Sequence, residues 1–189
     1  MEESKLIFIT GGVRSGKSSI AEKIAIKLAD KINGNLHYVA TGVASDSEMK
    51  ERIFRHQEDR TKSGFSWKMW EEPFRIGKLS KRFTKKDIIL LDCVTTLLNN
   101  EFFEHEENLD EFRLCEMKER ILSGIMKVKN SCHTLIVVSN EILFDPLFSD
   151  FVIAYKKILG ELHQRIVQEA DQAFVVEVGV PVIMKGAPI

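Results

Sequence analysis

Apolar residues along this chain follow two recurring patterns. Short, nearly unbroken apolar runs at Leu6–Thr10, Leu36–Ala40, Asp87–Asp92, Thr134–Ser139, Ala173–Val178 and Pro181–Met184 predict strands, and the alternation of Phe65, Trp67 and Met69 predicts one more. Between them lie segments with helical spacing. Ile20, Ala21, Ile24, Ala25 and Leu28 share one face of Ser18–Asp30. Phe112, Cys115, Ile121, Leu122, Ile125 and Met126 mark Glu111–Lys129, and Tyr155, Ile158, Leu159, Leu162, Ile166 and Val167 mark a later helix. Ser45 followed by Glu48 forms a capping box that opens a helix carrying Met49 and Ile53.

Strands alternating with helices predict an α/β fold with a mostly parallel sheet and helices on both faces. The continuous apolar run Ile88–Leu91 fits a strand covered on both sides. The last two strands are expected to pair through the turn at Gly179, antiparallel to each other. Ligands of such sheets bind beyond the carboxyl ends of the strands. The chemistry is therefore sought just after Ile9, Val39, Leu91 and Val138.

Composition narrows this only a little. The 189 residues suit one domain, and the hydrophobic share of 44% fits an ordinary globular core. With 27 basic and 28 acidic side chains the net charge is −1, so nothing marks a general nucleic-acid or anionic-membrane binder. Cys93, Cys115 and Cys132 are odd in number and lack C-x-x-C spacing, which points away from a disulfide framework or a zinc site and towards a cytoplasmic setting. The acidic leading residues and the short apolar run after them do not resemble a signal peptide, and no run is long enough to span a membrane. The acidic stretch Glu101–Glu111 reads as a solvated connection.

After Ile9 the chain reads Gly11-Gly12-Val13-Arg14-Ser15-Gly16-Lys17-Ser18, a complete G-x-x-x-x-G-K-S/T phosphate loop between a buried strand and an amphipathic helix. The glycines let backbone N–H groups turn inward on phosphate oxygens, and the helix N-terminus adds positive potential. Lys17 can reach the β- and γ-phosphates, and Ser18 can place its hydroxyl on Mg²⁺. Asp92, closing the Ile88–Leu91 strand, is the expected carboxylate partner of that cation, with Asp87 a weaker competitor. The pattern predicts a P-loop NTPase fold of the RecA-like kind over residues 1–189. Kinases, ATPases, switches and nucleotidyl transferases all use it.

A second informative stretch runs from Glu48 to Arg60. Met49, Ile53 and His56 share one helical face, and spacing alone leaves His56 an ordinary packing or surface residue. Taken together, several segments resemble the bifunctional adenosylcobinamide kinase/adenosylcobinamide-phosphate guanylyltransferase family. They are the phosphate loop with its internal Arg14-Ser15, Tyr38-Val39-Ala40-Thr41, and Glu48-Met49 with Arg52-Ile53, His56 and Arg60. Trp67 with Glu71-Glu72-Pro73, Leu90-Leu91-Asp92-Cys93-Val94-Thr95-Thr96, Ser139-Asn140-Glu141, and Gly160, Gln164, Arg165, Ala170 and Asp171 continue the likeness over nearly the whole chain.

The resemblance implies two steps. A nucleoside triphosphate, ATP or GTP, phosphorylates the aminopropanol hydroxyl of adenosylcobinamide. GMP then passes from GTP to that phosphate through a GMP–histidine intermediate, and pyrophosphate is released. It implies catalytic roles for His56 and Lys17. It also implies nucleotide contacts from Gly11 to Ser18 and from Thr41, Gly42, Val43, Arg60, Glu71 and Asp92, with Mg²⁺ on Ser18 and Asp92. The family's trimeric assembly is expected with it.

The chain departs from the family pattern at Ile142–Pro146, where a Gly-rich loop is usual. It departs again at Lys156-Lys157, at His163 in place of asparagine, and at Thr61 in place of proline. Two other readings stay open at this point: a P-loop kinase of another small molecule, and a nucleotide-gated binding module.

Overall fold

The computed structural model describes residues 3–42, 64–104, 110–141 and 150–187, with side chains given from residue 152 in the last of these segments. The predicted helix from Ser45, and with it Val43, His56 and Arg60, lies outside the described residues, as does the altered loop at 142–146.

Seven strands form one sheet: β1 (Lys5–Thr10), β2 (Asn35–Ala40), β3 (Trp67–Glu71), β4 (Asp87–Asp92), β5 (Thr134–Val138), β6 (Gln172–Glu177) and β7 (Val180–Lys185). Their order across the sheet is β3-β2-β4-β5-β1-β6-β7. Every neighbouring pair is parallel except β6 and β7, which form the expected antiparallel hairpin around Gly179.

Strand periodicity divides the core. Ile7, Ile9, Ile88, Leu90, Ile136 and Val138 face helix α1 (Lys17–Ile32). Ala21, Ala25 and Ala29 form its buried stripe, and small side chains at i, i+4 and i+8 let the helix lie close on the sheet. Leu6, Phe8, Ile89, Leu91, Leu135 and Val137 point the other way, into a larger cluster covered by α2 (Val94–Phe103), α3 (Glu111–Ser131) and α4 (Asp150–Glu169). At about 25 cal/mol per Å² of apolar area, each such buried side chain contributes roughly 1.5–3 kcal/mol.

Two elements escape the sequence reading. One is α2, and the other is a 3₁₀ turn at Ile76–Arg82, whose Gly77 lies against Gly124 of α3 so closely that an added Cβ would meet the Gly124 Cα at 3.2 Å. The acidic stretch is also corrected. Glu101 belongs to α2 and is only 2% exposed, 3.4 Å from Arg120 Nε. Asp110 caps α3 by accepting the Arg113 N–H at 2.8 Å, and Glu111 begins that helix. Burial of Phe102 at the end of α2 draws Glu101 inward with it.

Candidate active site

The parallel register lines up the carboxyl ends of the strands. Thr10 pairs with Val175, Ile9 with Val138, Val138 with Asp92, and Ala40 with both Asp92 and Glu71. One edge of the sheet therefore carries the phosphate loop, Asp92, Ser139 and Glu71.

Gly11 to Ser18 curl between β1 and α1 as the motif predicts. Gly16 holds φ 92°, a left-handed conformation that a side chain would oppose. At Gly11 the constraint is contact, since a Cβ there would stand 2.4 Å from the carbonyl oxygen of Val176. The loop is tied to both neighbouring strands. Glu141 N–H donates to Gly11 O at 3.1 Å, and Gly179 N–H donates to Ser15 O at 2.8 Å. Lys17 is buried, and its Nζ donates to Gly12 O at 2.9 Å, so the ammonium is folded into the loop. Thr10 Oγ1 and Ser15 Oγ are buried there with no hydrogen-bond partner. Ser18 is half-buried at the start of α1.

Asp92 ends β4, and its Oδ2 accepts the Tyr38 hydroxyl at 2.9 Å. Tyr38 is opposite Leu90 in β2, so its ring lies on the face of the sheet that α1 covers and reaches diagonally to the carboxylate. Tyr38 is thus a positioning residue that sequence reasoning noticed only as part of a likeness. Behind Asp92, the buried Thr41 hydroxyl donates to Cys93 O and accepts from Cys93 N, each at 2.8 Å. Its one proton is committed to bracing this turn. Thr41 therefore shapes the site from below, and Gly42 follows it half-buried. Cys93 is buried beside Asp92, and both burial and the carboxylate push its thiol pKa up, so it remains a protonated small residue.

Beyond β5 a further network appears. His163 Nε2 is 2.7 Å from Ser139 Oγ, Ser139 Oγ is 3.0 Å from Thr95 Oγ1, and Asn140 N–H donates to Thr95 Oγ1 at 2.8 Å. The Tyr155 hydroxyl donates to Thr95 O at 3.1 Å. Burial pushes the His163 pKa down to about 4, so the ring that meets the Ser139 hydroxyl is neutral. This network joins α2 and α4 to the end of β5 and fixes the strand end beside the loop. In sequence, Ser139, Asn140 and Thr95 stand out through the family likeness, His163 as a departure from it, and Tyr155 only as a helix-face residue.

Glu71 is exposed at the end of β3, and β2, β4 and β5 lie between it and β1. At about 4.8 Å per strand it stands roughly 19 Å across the sheet from the phosphate-loop strand. It cannot share a phosphate with Lys17.

The sequence profile of the family described as cobinamide kinase/cobinamide phosphate guanyltransferase (CobU) matches residues 7–184. The chain belongs to this family. A relative, the bifunctional adenosylcobalamin biosynthesis protein CobP of Pseudomonas aeruginosa, is 30% identical over 183 residues, covering 96% of this chain and 98% of its own. The bifunctional adenosylcobalamin biosynthesis protein CobU of Escherichia coli is 26% identical over 187 residues, covering 95% and 99%. Among solved structures, the flagellar accessory protein FlaH of Methanocaldococcus jannaschii superposes with a TM-score of 0.54 at 14% identity, over 98% of this chain and 80% of that one. That likeness concerns the fold alone. The CobU-family match spans both the phosphate loop and the late strand end at Ser139, so these two parts are read together.

The residues present suit a magnesium nucleotide. Among the described residues no group of three or more His, Cys, Asp or Glu side chains forms a metal cluster. A hydroxyl and one carboxylate, completed by phosphate oxygens and water, are the donors Mg²⁺ takes in such sites. The orphaned Thr10 and Ser15 hydroxyls and the inward Lys17 are groups that a phosphate would satisfy. No described helix is long and apolar enough to cross a membrane.

Proposed function

We propose that this chain, as one domain over residues 1–189, phosphorylates adenosylcobinamide and then converts the product to adenosylcobinamide-GDP. The observation that carries the reading is the phosphate loop, closed around a buried Lys17 on the same sheet edge as Asp92, within a chain that matches the CobU family over residues 7–184.

In the first step, loop N–H groups and Lys17 hold the triphosphate, the acceptor hydroxyl attacks the γ-phosphorus, the β–γ P–O bond breaks, the nucleoside diphosphate leaves and the hydroxyl proton passes to solvent. Positioning and charge stabilisation carry most of the acceleration in such transfers. Ser18 and Asp92, the latter held by Tyr38, would bind Mg²⁺, which neutralises charge developing on the phosphate oxygens.

In the second step, by family likeness, a neutral His56 nitrogen attacks the α-phosphorus of GTP. An N–P bond forms, the α–β P–O bond breaks and pyrophosphate leaves. The cobinamide phosphate oxygen then attacks the same phosphorus, the N–P bond breaks, and the imidazole is restored. Arg60, four residues on, and Gly42, Val43 and Glu71, at or after the ends of β2 and β3, belong to this guanylyl half. The roughly 19 Å between Glu71 and β1 supports a reading in which the two steps use different parts of the sheet edge.

Self-association as a trimer and a cytoplasmic setting are part of the same proposal. The exposed apolar side chains of β7, Val182, Ile183 and Met184, are surface that association would bury.

The test is covalent labelling. With Mg²⁺ and GTP labelled at the α-phosphate, the denatured protein is expected to carry acid-labile, base-stable label that His56→Asn lacks. Transfer of γ-label to cobinamide with no α-label on the protein would instead leave a kinase alone, and absence of both would sink the reading.

A further inference from the structure

The exits of β2 and β3 converge on one side chain of α2. Among the described residues, the ladder at this edge ends with Glu72 N–H donating to Ala40 O at 3.0 Å and Thr41 N–H donating to Asp92 O at 3.1 Å. Past those rungs, Asn100 Nδ2 donates to Thr41 O at 2.8 Å and to Pro73 O at 2.9 Å. Both partners are carbonyl oxygens, so the amide nitrogen must face them, and both of its protons are used. Asn100 is half-buried, and Thr41 is fully buried, so loss of this donor would leave the Thr41 carbonyl with no water to turn to.

What Asn100 joins sets it apart from an ordinary packing residue. Thr41 leads directly into Gly42, and Pro73 follows Glu71 by two residues. These are the strand ends assigned above to the guanylyl half. Its place on α2 separates it from the phosphate loop. Thr95, which accepts the Asn140 N–H at the end of β5, lies five residues earlier and so about 140° away around the helix. Thr96 and Asn100, one turn apart, address β2 instead: a Cβ on Gly42 would meet Thr96 Cγ2 at 4.0 Å. One helix thus braces two parts of the sheet edge through separate faces.

From this juxtaposition we infer that Asn100 is a positioning residue for guanylyl transfer, holding the β2 and β3 exits at a fixed spacing, and that phosphorylation of the acceptor hydroxyl does not depend on it. The inference rests on the guanylyl half of the proposed function and adds a residue to it. Asn100 acts through the backbone that carries Gly42 and Glu71. Alanine there would leave two carbonyls without their donor. Aspartate, of the same shape, would set acceptor oxygens against both of them.

The experiment reads both reactions on the full chain. Wild type, Asn100→Ala and Asn100→Asp are given Mg²⁺ with α-labelled GTP and, separately, adenosylcobinamide with γ-labelled ATP or GTP. In both variants the rate at which α-label appears on the denatured protein is expected to fall between about tenfold and a hundredfold at saturating GTP, with γ-label transfer to the acceptor within about twofold of wild type. Asn100→Asp is expected to lose at least as much as Asn100→Ala. A merely structural role would lower both reactions together, and that outcome would overturn the inference. So would α-labelling at the wild-type rate in either variant, or a loss confined to γ-transfer. If wild type itself takes no α-label, the guanylyl reading fails before the variants are compared, and this inference falls with it.

Discussion

Asp87 and Asp92 open and close the same strand, and their surroundings differ in a way that separates stability from chemistry. Asp87, at the amino end of the sheet, is buried. Its Oδ2 accepts Thr84 N–H at 2.6 Å and the Thr84 hydroxyl at 3.0 Å, and its Oδ1 accepts Asn35 Nδ2 at 2.8 Å. Burial alone would raise its pKa, but the bonds from Asn35 and Thr84, with His37 nearby, hold it below the usual carboxylate range. His37 Nε2 faces Asp87 Oδ1 at 3.3 Å, while its Nδ1 accepts Trp70 Nε1–H at 3.0 Å. An accepting Nδ1 requires a neutral ring, in keeping with the lowering of its pKa by burial. At the carboxyl end, by contrast, Asp92 is half-buried beside a loop whose Thr10 and Ser15 hydroxyls lack partners. Both oxygens of the Asp87 carboxylate are met by internal bonds. The hydroxyls beside Asp92 retain unmet capacity, which is what a ligand site requires.

The sharpest way to break this contrast is Lys17→Ala. It is expected to lower γ-phosphoryl transfer by about a thousandfold or more, measured under single-turnover conditions, with the thermal midpoint little changed. Next comes the aspartate pair. Asp87→Ala is expected to cost about 3 kcal/mol in urea unfolding, because Asn35, Thr84 N–H and His37 lose a buried partner, while nucleotide Kd stays within about twofold. Asp92→Asn is expected to do the reverse, losing about a hundredfold in Mg²⁺-dependent transfer for under about 1 kcal/mol of stability. If both aspartates moved the same observable, the separation would be wrong.

A pH series tests the strand end beside the loop. His163 titrates near 6.5 when unfolded and at about 4 when folded, so below pH 6.5 the unfolded chain binds the proton first. Stability is therefore expected to fall by on the order of 2–3 kcal/mol as pH drops from 6.5 to about 4, and then to level off in this contribution. His163→Gln should flatten that window in chemical denaturation at several pH values. The smallest effect belongs to the surface pair Lys118–Glu161, 2.7 Å apart and partly exposed. Lys118→Met is expected to change stability by no more than about 0.5 kcal/mol and to leave transfer rates untouched.

Most of the architecture was legible in sequence because both periodicities were strong. The strands at Leu6, Leu36, Ile88 and Thr134 and the helices of Ser18 and Glu111 appear within a few residues of their predicted bounds. Helix α2 was missed because Val94, Thr95 and Thr96 are weak helix formers. Burial of Val94, Leu97, Leu98 and Phe102 overrides that preference, and the same packing takes Glu101 out of solvent. The Ile76–Arg82 turn had no legible signal, since its N-cap, Arg75, makes no side-chain cap bond and its anchor is the approach of Gly77 to Gly124. Of the site, the phosphate loop and Asp92 could be read from spacing alone. Tyr38, Thr41 and the His163–Ser139–Thr95 chain could not, because they act across strands and helices far apart in sequence.

The two backbone bonds that hold the loop from either side have a thermodynamic meaning. With Gly11 O tied to Glu141 N–H and Ser15 O tied to Gly179 N–H, the curl that receives phosphate is already ordered before any ligand arrives. Ordering a free segment costs roughly 1–2 kcal/mol of conformational entropy per residue. The folding of the sheet has met that cost in advance. Phosphate binding is then a matter of exchanging water and one lysine contact for the incoming oxygens, with little chain entropy left to lose.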